Sequence, residues 1–201
     1  MTTTHDGIAL PWRLLELLKE GKGTYVRTFA TTTTLLVSAV AGFTGAAAPA
    51  SAGAAADQIV KIRPLHAIGK CLDIQAGSTA NSANLIQYDC TGATNQKFRL
   101  VRVSGDEFEI RPTHVSGKCL DIQGGSEAPG ARVIQYDCSG APNQRFELTN
   151  GGSSLNNIRP RHVFNMCLDV PSASTANSVN IIQFSCKGGA PNQLFEFLPT
   201  L

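Results

Sequence analysis

The chain has 201 residues, of which 17 are basic and 15 acidic, for a formal net charge of +2. So even a balance gives no support to a nucleic-acid partner, which would want a basic surface or stripe, and none is expected. The six cysteines come in widely spaced pairs with one distant histidine each, which argues against a structural zinc site and leaves no cofactor to expect.

The first element is a leader. From Arg27 the sequence RTFATTTTLLVSAVAGFTGAAAPASAGAAA sets one positive charge before an apolar core around Leu35 to Phe43, followed by small residues. That is the pattern of a secretory signal peptide. Its apolar stretch is too short to span a bilayer stably, so no stable membrane insertion is expected. The small residues permit cleavage after Ala52 or Ala56, making residues 1–56 the leader and 57–201 a secreted, extracellular domain. Residues 1–25 form a long, charged preamble that admits two readings: an extended leader, or a true start at Val26 behind a purine-rich stretch encoding Lys19 to Gly23.

The remainder of the chain is a triplication. CLDIQAGSTANSANLIQYDCTGATNQKF (Cys71 to Phe98), CLDIQGGSEAPGARVIQYDCSGAPNQRF (Cys119 to Phe146) and CLDVPSASTANSVNIIQFSCKGGAPNQLF (Cys167 to Phe195) recur 48 residues apart, preceded by IRPLH, IRPTH and IRPRH. The repeats occupy roughly 59–104, 105–152 and 153–201 and together make one domain with room for a modest core. This domain carries 13 basic and 12 acidic side chains. Each repeat holds two cysteines 19 positions apart, and an oxidising destination makes disulfides their natural state. Of the 15 possible pairings, threefold equivalence selects Cys71–Cys90, Cys119–Cys138 and Cys167–Cys186.

Within the second repeat, apolar bursts at Phe108–Ile110, Leu120–Ile122, Val133–Tyr136 and Phe146–Leu148 are parted by Gly, Ser, Asn and Pro. Four short strands per repeat and no helical periodicity predict an all-β domain. A period of this length also suits propeller blades, yet propellers need at least four, so three units must close in another way.

CLDI…IQYDC…NQKF, written three times in such a chain, resembles the ricin B-chain-type lectins and the related carbohydrate-binding modules of bacterial polysaccharide hydrolases. Their Gln-x-Trp signature stands here as Gln96-Lys97-Phe98, Gln144-Arg145-Phe146 and Gln193-Leu194-Phe195, each keeping an aromatic core residue. The resemblance covers essentially everything after Gln58. It implies a β-trefoil, a six-stranded barrel closed at one end by three hairpins, with one sugar pocket per lobe. It further implies that Asp73, Asp121 and Asp169 accept sugar hydroxyls, that Tyr88, Tyr136 and Phe184 stack on the ring, and that Asn95, Asn143 and Asn192 supply amide donors. The signature glutamines Gln96, Gln144 and Gln193 join the candidate set, with a purely structural role in the hairpin as their alternative.

The chemistry of those residues agrees. A carboxylate in a strand-like CLD has no reason to recur unless it meets donors. A pyranose offers an apolar face to an aromatic ring and hydroxyls to a carboxylate and an amide. By contrast, Ile62, Ile110, Ile158, Leu72, Leu120, Leu168 and the signature phenylalanines are assigned to the core by burial alone. His66, His114 and His162 have no carboxylate or nucleophile tracking with them and are taken as hydrogen-bonded structural residues. Gln87, Gln135 and Gln183 lie one position nearer the aromatic than in many lectins of this type, so no contact is carried over to them. The third repeat departs most, with Asn165-Met166, Pro171, Phe184-Ser185 and one inserted residue before Asn192.

The expected function is a secreted, non-catalytic carbohydrate-binding protein for galactose- or xylan-type sugars. Glycoside hydrolysis needs two carboxylates facing one bond, and one recurrent Asp per lobe supplies no second. The competing reading is a protein-binding trefoil, a protease inhibitor or toxin-targeting subunit acting through its loops.

Overall fold

The computed structural model describes residues 57–150 and 154–200; the proposed leader, its signal peptide and cleavage sites lie outside the described residues. The first lobe comprises β1 (Gln58–Pro64), β2 (Lys70–Ile74), β3 (Ala83–Asp89) and β4 (Phe98–Ser104). The second comprises β5 (Glu107–Pro112), β6 (Lys118–Ile122), β7 (Val133–Asp137) and β8 (Phe146–Leu148). In the third, two strands are interrupted, giving β9 (Leu155–Asn156), β10 (Ile158–Pro160), β11 (Met166–Asp169), β12 (Val179–Asn180), β13 (Ile182–Ser185) and β14 (Phe195–Pro199). The four strands read from the second repeat are all present. No helix among the described residues is long and apolar enough to cross a membrane.

The first and last strands of each lobe pair in the order β10-β8-β5-β4-β1-β14-β9. Because β9 and β10 are consecutive stretches of one strand, parted only at Asn157, that order closes on itself as a six-stranded barrel. The interruption is held by Asn157, whose backbone N–H donates to Thr149 Oγ1 (3.0 Å) and whose side chain donates to Gln193 O (2.7 Å). The middle strands form three hairpins, β2–β3, β6–β7 and β11–β13. These meet through short pairings of β3 with β7 and with β12, and through a bridge from Arg132 to Ile182. A barrel with three hairpins over one end, in threefold arrangement, is a β-trefoil.

Alternation builds the core. Along β1, Val60, Ile62 and Pro64 point inward while their neighbours do not. Inward residues of adjoining strands then meet, as Ile62 with Phe197, Leu100 with Ile110 and Leu148 with Ile158. The nine residues assigned to the core from the sequence, Ile62, Ile110, Ile158, Leu72, Leu120, Leu168, Phe98, Phe146 and Phe195, are all fully buried. Each contributes about 2 kcal/mol of burial free energy. The disulfides are Cys71–Cys90, Cys119–Cys138 and Cys167–Cys186, each closing a 19-residue separation, and such a loop stabilises the fold by about 3 kcal/mol in the chain-entropy account.

The lobes are tied by a second threefold device that the sequence did not assign. Gln87, Gln135 and Gln183 are fully buried, and their Nε2 groups donate to Ser174 O and Ala176 O, Ser78 O and Ala80 O, and Ser126 O and Ala128 O, at 2.7–2.9 Å. His66, His114 and His162 reach the same serine carbonyls with Nε2 at 2.9 Å, and since a carbonyl only accepts, that nitrogen carries the proton. Each lobe thus grips its predecessor, and the first closes the ring by gripping the third.

Candidate functional site

The hairpin register decides which side chains share a face. Asp73 pairs with Ile86 and Cys71 with Tyr88; Asp121 with Ile134 and Cys119 with Tyr136; Asp169 with Ile182 and Cys167 with Phe184. On an antiparallel pair the diagonal neighbour lies on the same face, so each aspartate and each aromatic look out of one side of the hairpin. The disulfide sits on that side too and fixes the strand under the ring. A 3-10 turn just after each second cysteine, Thr94–Gln96, Pro142–Gln144 and Pro191–Gln193, then brings the asparagine up beside the aspartate.

The result is three hollows of about 410, 390 and 410 Å³. The first is lined by Asp73, Tyr88 and Asn95, the second by Asp121, Tyr136 and Asn143, the third by Asp169, Phe184 and Asn192. Nine of the twelve residues singled out from the sequence therefore converge, three to a lobe. Tyr88 and Tyr136 are exposed, at 38% and 43%, which leaves their ring faces open to a ligand.

The remaining three, Gln96, Gln144 and Gln193, line none of these hollows and are essentially fully buried. Gln96 Nε2 donates to Asp73 Oδ2 (2.9 Å) and Asp89 O (2.8 Å), while its Oε1 accepts from Thr91 N (2.8 Å). Gln144 and Gln193 repeat the pattern on Asp121 and Asp137 O, and on Asp169 and Ser185 O. Every hydrogen-bonding position of the amide is spent inside the protein, so the glutamines aim the aspartates from beneath instead of meeting a ligand.

The asparagines also differ from expectation. Asn95 Nδ2 donates both its hydrogens, to Asp73 Oδ1 (3.0 Å) and Ile74 O (3.0 Å), and Asn192 Nδ2 does the same to Asp169 Oδ2 (3.1 Å) and Val170 O (3.0 Å). Asn143 Nδ2 donates to Ile122 O (3.2 Å). In the first and third lobes the amide has no hydrogen left to offer a ligand. What each presents beside the carboxylate is an acceptor, Oδ1.

Burial and the hydrogen bonds compete at the carboxylates. Desolvation pushes the Asp73 and Asp121 carboxyls above the ordinary 3.8, against the opposing pull of Gln96 and Asn95, and of Gln144 and Asn143. Folding therefore holds those two protons more tightly than the unfolded chain does. The stability they contribute is present below 3.8 and is lost as pH rises through the folded values. Asp89 and Asp137 go the other way, held down first by Asn177 and then Lys70, and first by Lys118 and then Asn81.

Sequence reading missed the turn that walls each hollow. Gln75–Gly77, Gln123–Gly125 and Pro171–Ala173 follow the aspartate strands, and their last two residues take left-handed φ of 49–66°. Gly77 and Gly125 put a bare Cα against the asparagine side chain, where a Cβ would lie 3.9 Å from Cγ of Asn95 or Asn143. The third lobe holds the same shape with Ser172 and Ala173, at a backbone cost of about 1 kcal/mol or more per residue. It also missed Ser178 and Ser82, which line the first and second hollows from the neighbouring lobe. Nothing in a single repeat signals a residue that the next repeat supplies.

The family model of the ricin-type beta-trefoil lectin domain matches residues 58–195, more than half of the chain. Among solved structures, a designed threefold-symmetric protein, ThreeFoil, is 38% identical with a TM-score of 0.65, the match covering 70% of this chain and 97% of that one. An exo-beta-1,3-galactanase from Clostridium thermocellum is 30% identical with a TM-score of 0.65, the match covering 71% of this chain but 30% of the enzyme. A ricin B-like lectin from Macrolepiota procera, solved in complex with lactose, shares the fold at 20% identity and a TM-score of 0.57, over 73% of this chain and 99% of that one. A search of curated proteins returns no match.

Proposed function

The chain belongs to the ricin-type β-trefoil lectin domain family, and from that premise we propose that it is a secreted, non-catalytic lectin binding galactose- or xylan-type sugars in up to three shallow sites. The observation that carries this reading is the convergence, lobe by lobe, of an aromatic ring (exposed in the first two lobes, half-buried in the third), a carboxylate and an amide oxygen on one hollow of a size that holds a sugar ring or two. Adjacent acceptors suit vicinal hydroxyls acting as donors, and the open ring face suits the apolar side of a pyranose. The structure determined with lactose, for the Macrolepiota procera lectin, supports the same class of ligand.

Each hollow is lined by one carboxylate, which serves recognition and not the paired acid–base chemistry of glycoside hydrolysis. A single shallow site of this kind binds in the millimolar range, about 4 kcal/mol. Three on one rigid body raise each other's effective concentration on a polymer or a glycan-coated surface. The small residues after the apolar core of the leader support export, and the three disulfides suit an oxidising destination.

Composition supplies the test. Residues 57–201 contain no tryptophan, and their only tyrosines are Tyr88 and Tyr136, one in each of the first two hollows. Titrating the processed chain with galactosides and xylo-oligosaccharides at pH 7 should change tyrosine emission saturably. Because the carboxyls of Asp73 and Asp121 are raised, the response should fade on acidification before pH 3.8 is reached, as the acceptors protonate. An emission signal flat for every sugar at neutral pH would contradict the proposal.

A further inference from the structure

The third hollow is not a worn copy of the other two; beside its aspartate it carries a positive charge that they lack. Thr91, Ser139 and Lys187 are structural equivalents, because the backbone N–H of each donates to the signature glutamine's Oε1 at 2.7–2.8 Å. In the first two lobes the hydroxyl at that position is folded into its own turn, bonded to Gln96 or Gln144 Oε1 and to Ala93 N or Ala141 N. Lysine cannot do this. Its ammonium instead stands over the Phe184 ring, 5.5 Å from the centroid, and Lys187 lines the hollow with Asp169 and Asn192.

The surroundings leave that charge unpaired. Where the first two lobes carry an exposed aspartate directly after the ring, Asp89 or Asp137, the third carries Ser185. The third lobe therefore carries no acid at that position. Among the described residues Lys187 makes no ion pair, so its charge is uncommitted, unlike Lys70 and Lys118, which are held by Asp89 and Asp137 at 2.6 Å. A neutral sugar stacking on Phe184 must share the ring with an ammonium and can offer it only uncharged hydroxyl acceptors. A sugar bearing a carboxylate pairs with that ammonium through a charge-assisted hydrogen bond.

We propose that the third hollow selects acidic saccharides, a hexuronic acid stacking on Phe184 with its carboxylate on Lys187, while the first two take neutral sugars. This rests on the lectin reading above and adds a division of labour among its sites. A polymer of neutral sugars with occasional uronic acid branches would engage all three at once.

The test monitors the rings of Tyr88, Tyr136 and Phe184 by NMR while the protein is titrated with methyl galactoside, methyl galacturonide, methyl glucoside and methyl glucuronide. Within a matched pair the sugars differ at C6 alone. At low salt the Phe184 ring should respond to the better uronide with two- to five-fold higher affinity than to its neutral counterpart, the range for an exposed charge pair. That preference should shrink towards unity in 0.5 M NaCl and vanish in Lys187→Gln, while Lys187→Arg keeps it. Tyr88 and Tyr136 should show no preference for the uronides. Equal or weaker uronide binding at Phe184, a preference that survives Lys187→Gln, or a silent Phe184 beside responsive tyrosines would each overturn the inference and leave the lectin reading standing. If no ring responds to any of the four sugars or to xylobiose, the lectin reading falls with it.

Discussion

Asp73→Asn combined with Asp121→Asn is expected to abolish retention of the protein on immobilised galactose or xylan at pH 7. Each carboxylate takes one amide hydrogen from Gln96 or Gln144 beneath it, Asp73 a second from Asn95, and has oxygen lone pairs left for ligand hydroxyls. In the variant one oxygen becomes an NH2 group. If the remaining oxygen keeps the glutamine, the new donor faces the hollow and meets hydroxyls that would have donated. If it turns the other way, it meets the glutamine's own donor. Losing a charge-assisted bond of about 1.5–3 kcal/mol weakens a site by roughly 10- to 100-fold. On millimolar sites that is the difference between weak retention and none. A thermal melt on the same samples separates lost binding from lost fold. Unchanged retention by a folded double variant would show that these two aspartates do not hold the sugar. Unchanged binding of a protein partner, with sugar retention absent from the start, would favour the protein-binding trefoil.

The second large effect is on stability. Gln144→Ala should destabilise the domain by about 4 kcal/mol, well above the usual range for a polar residue. The substitution leaves the buried carboxylate of Asp121 without its main donor, and strips Asp137 O and Ser139 N of their partner in the same place. Urea unfolding with the disulfides intact measures it, and Asn143→Ala is the internal comparison. Asn143 donates to Ile122 O at 3.2 Å and holds Asp121 less strongly than Gln144 does, so its removal should cost about 1 kcal/mol. Equal effects of the two would contradict the division between a supporting glutamine and a ligand-facing asparagine. The same comparison bears on binding, since Gln144→Ala frees Asp121 to turn and should weaken the second site without touching it.

Much of this architecture was legible before any coordinates. Threefold recurrence carried it: a period of 48 residues locates the lobes, the cysteine pairs follow from equivalence, and inward residues such as Ile62, Leu120 and Phe195 announce themselves as apolar positions copied three times. The convergence of Asp73 with Tyr88 was legible because a strand pair with a disulfide has a definite register. The repeats conceal direction, however. Gln96 and Asn95 are neighbours of similar chemistry, and only the 3-10 turn between strands sends one under the barrel cap and the other into the hollow. The orientation of the Asn95 amide is likewise set by Ile74 O, a backbone group that no residue type reveals. Gln87 carried no visible purpose, and His114, read as a hydrogen-bonded structural residue, no visible partner, because the carbonyls they meet, of Ser174 and Ser78, belong to other lobes. The third lobe's departures read as decay one at a time; only the shared position of Lys187 and Phe184 on one hollow shows them as a set.

The most direct measurement is a crystal structure of the protein with a methyl galactoside or a xylobiose at tens of millimolar. The account predicts a pyranose in the first or second hollow, its apolar face on Tyr88 or Tyr136, with two neighbouring hydroxyls donating to the Asp73 or Asp121 carboxylate and to the Oδ1 of Asn95 or Asn143. A sugar seated elsewhere on the surface, or one in the hollow that makes no contact with either aspartate, would contradict it.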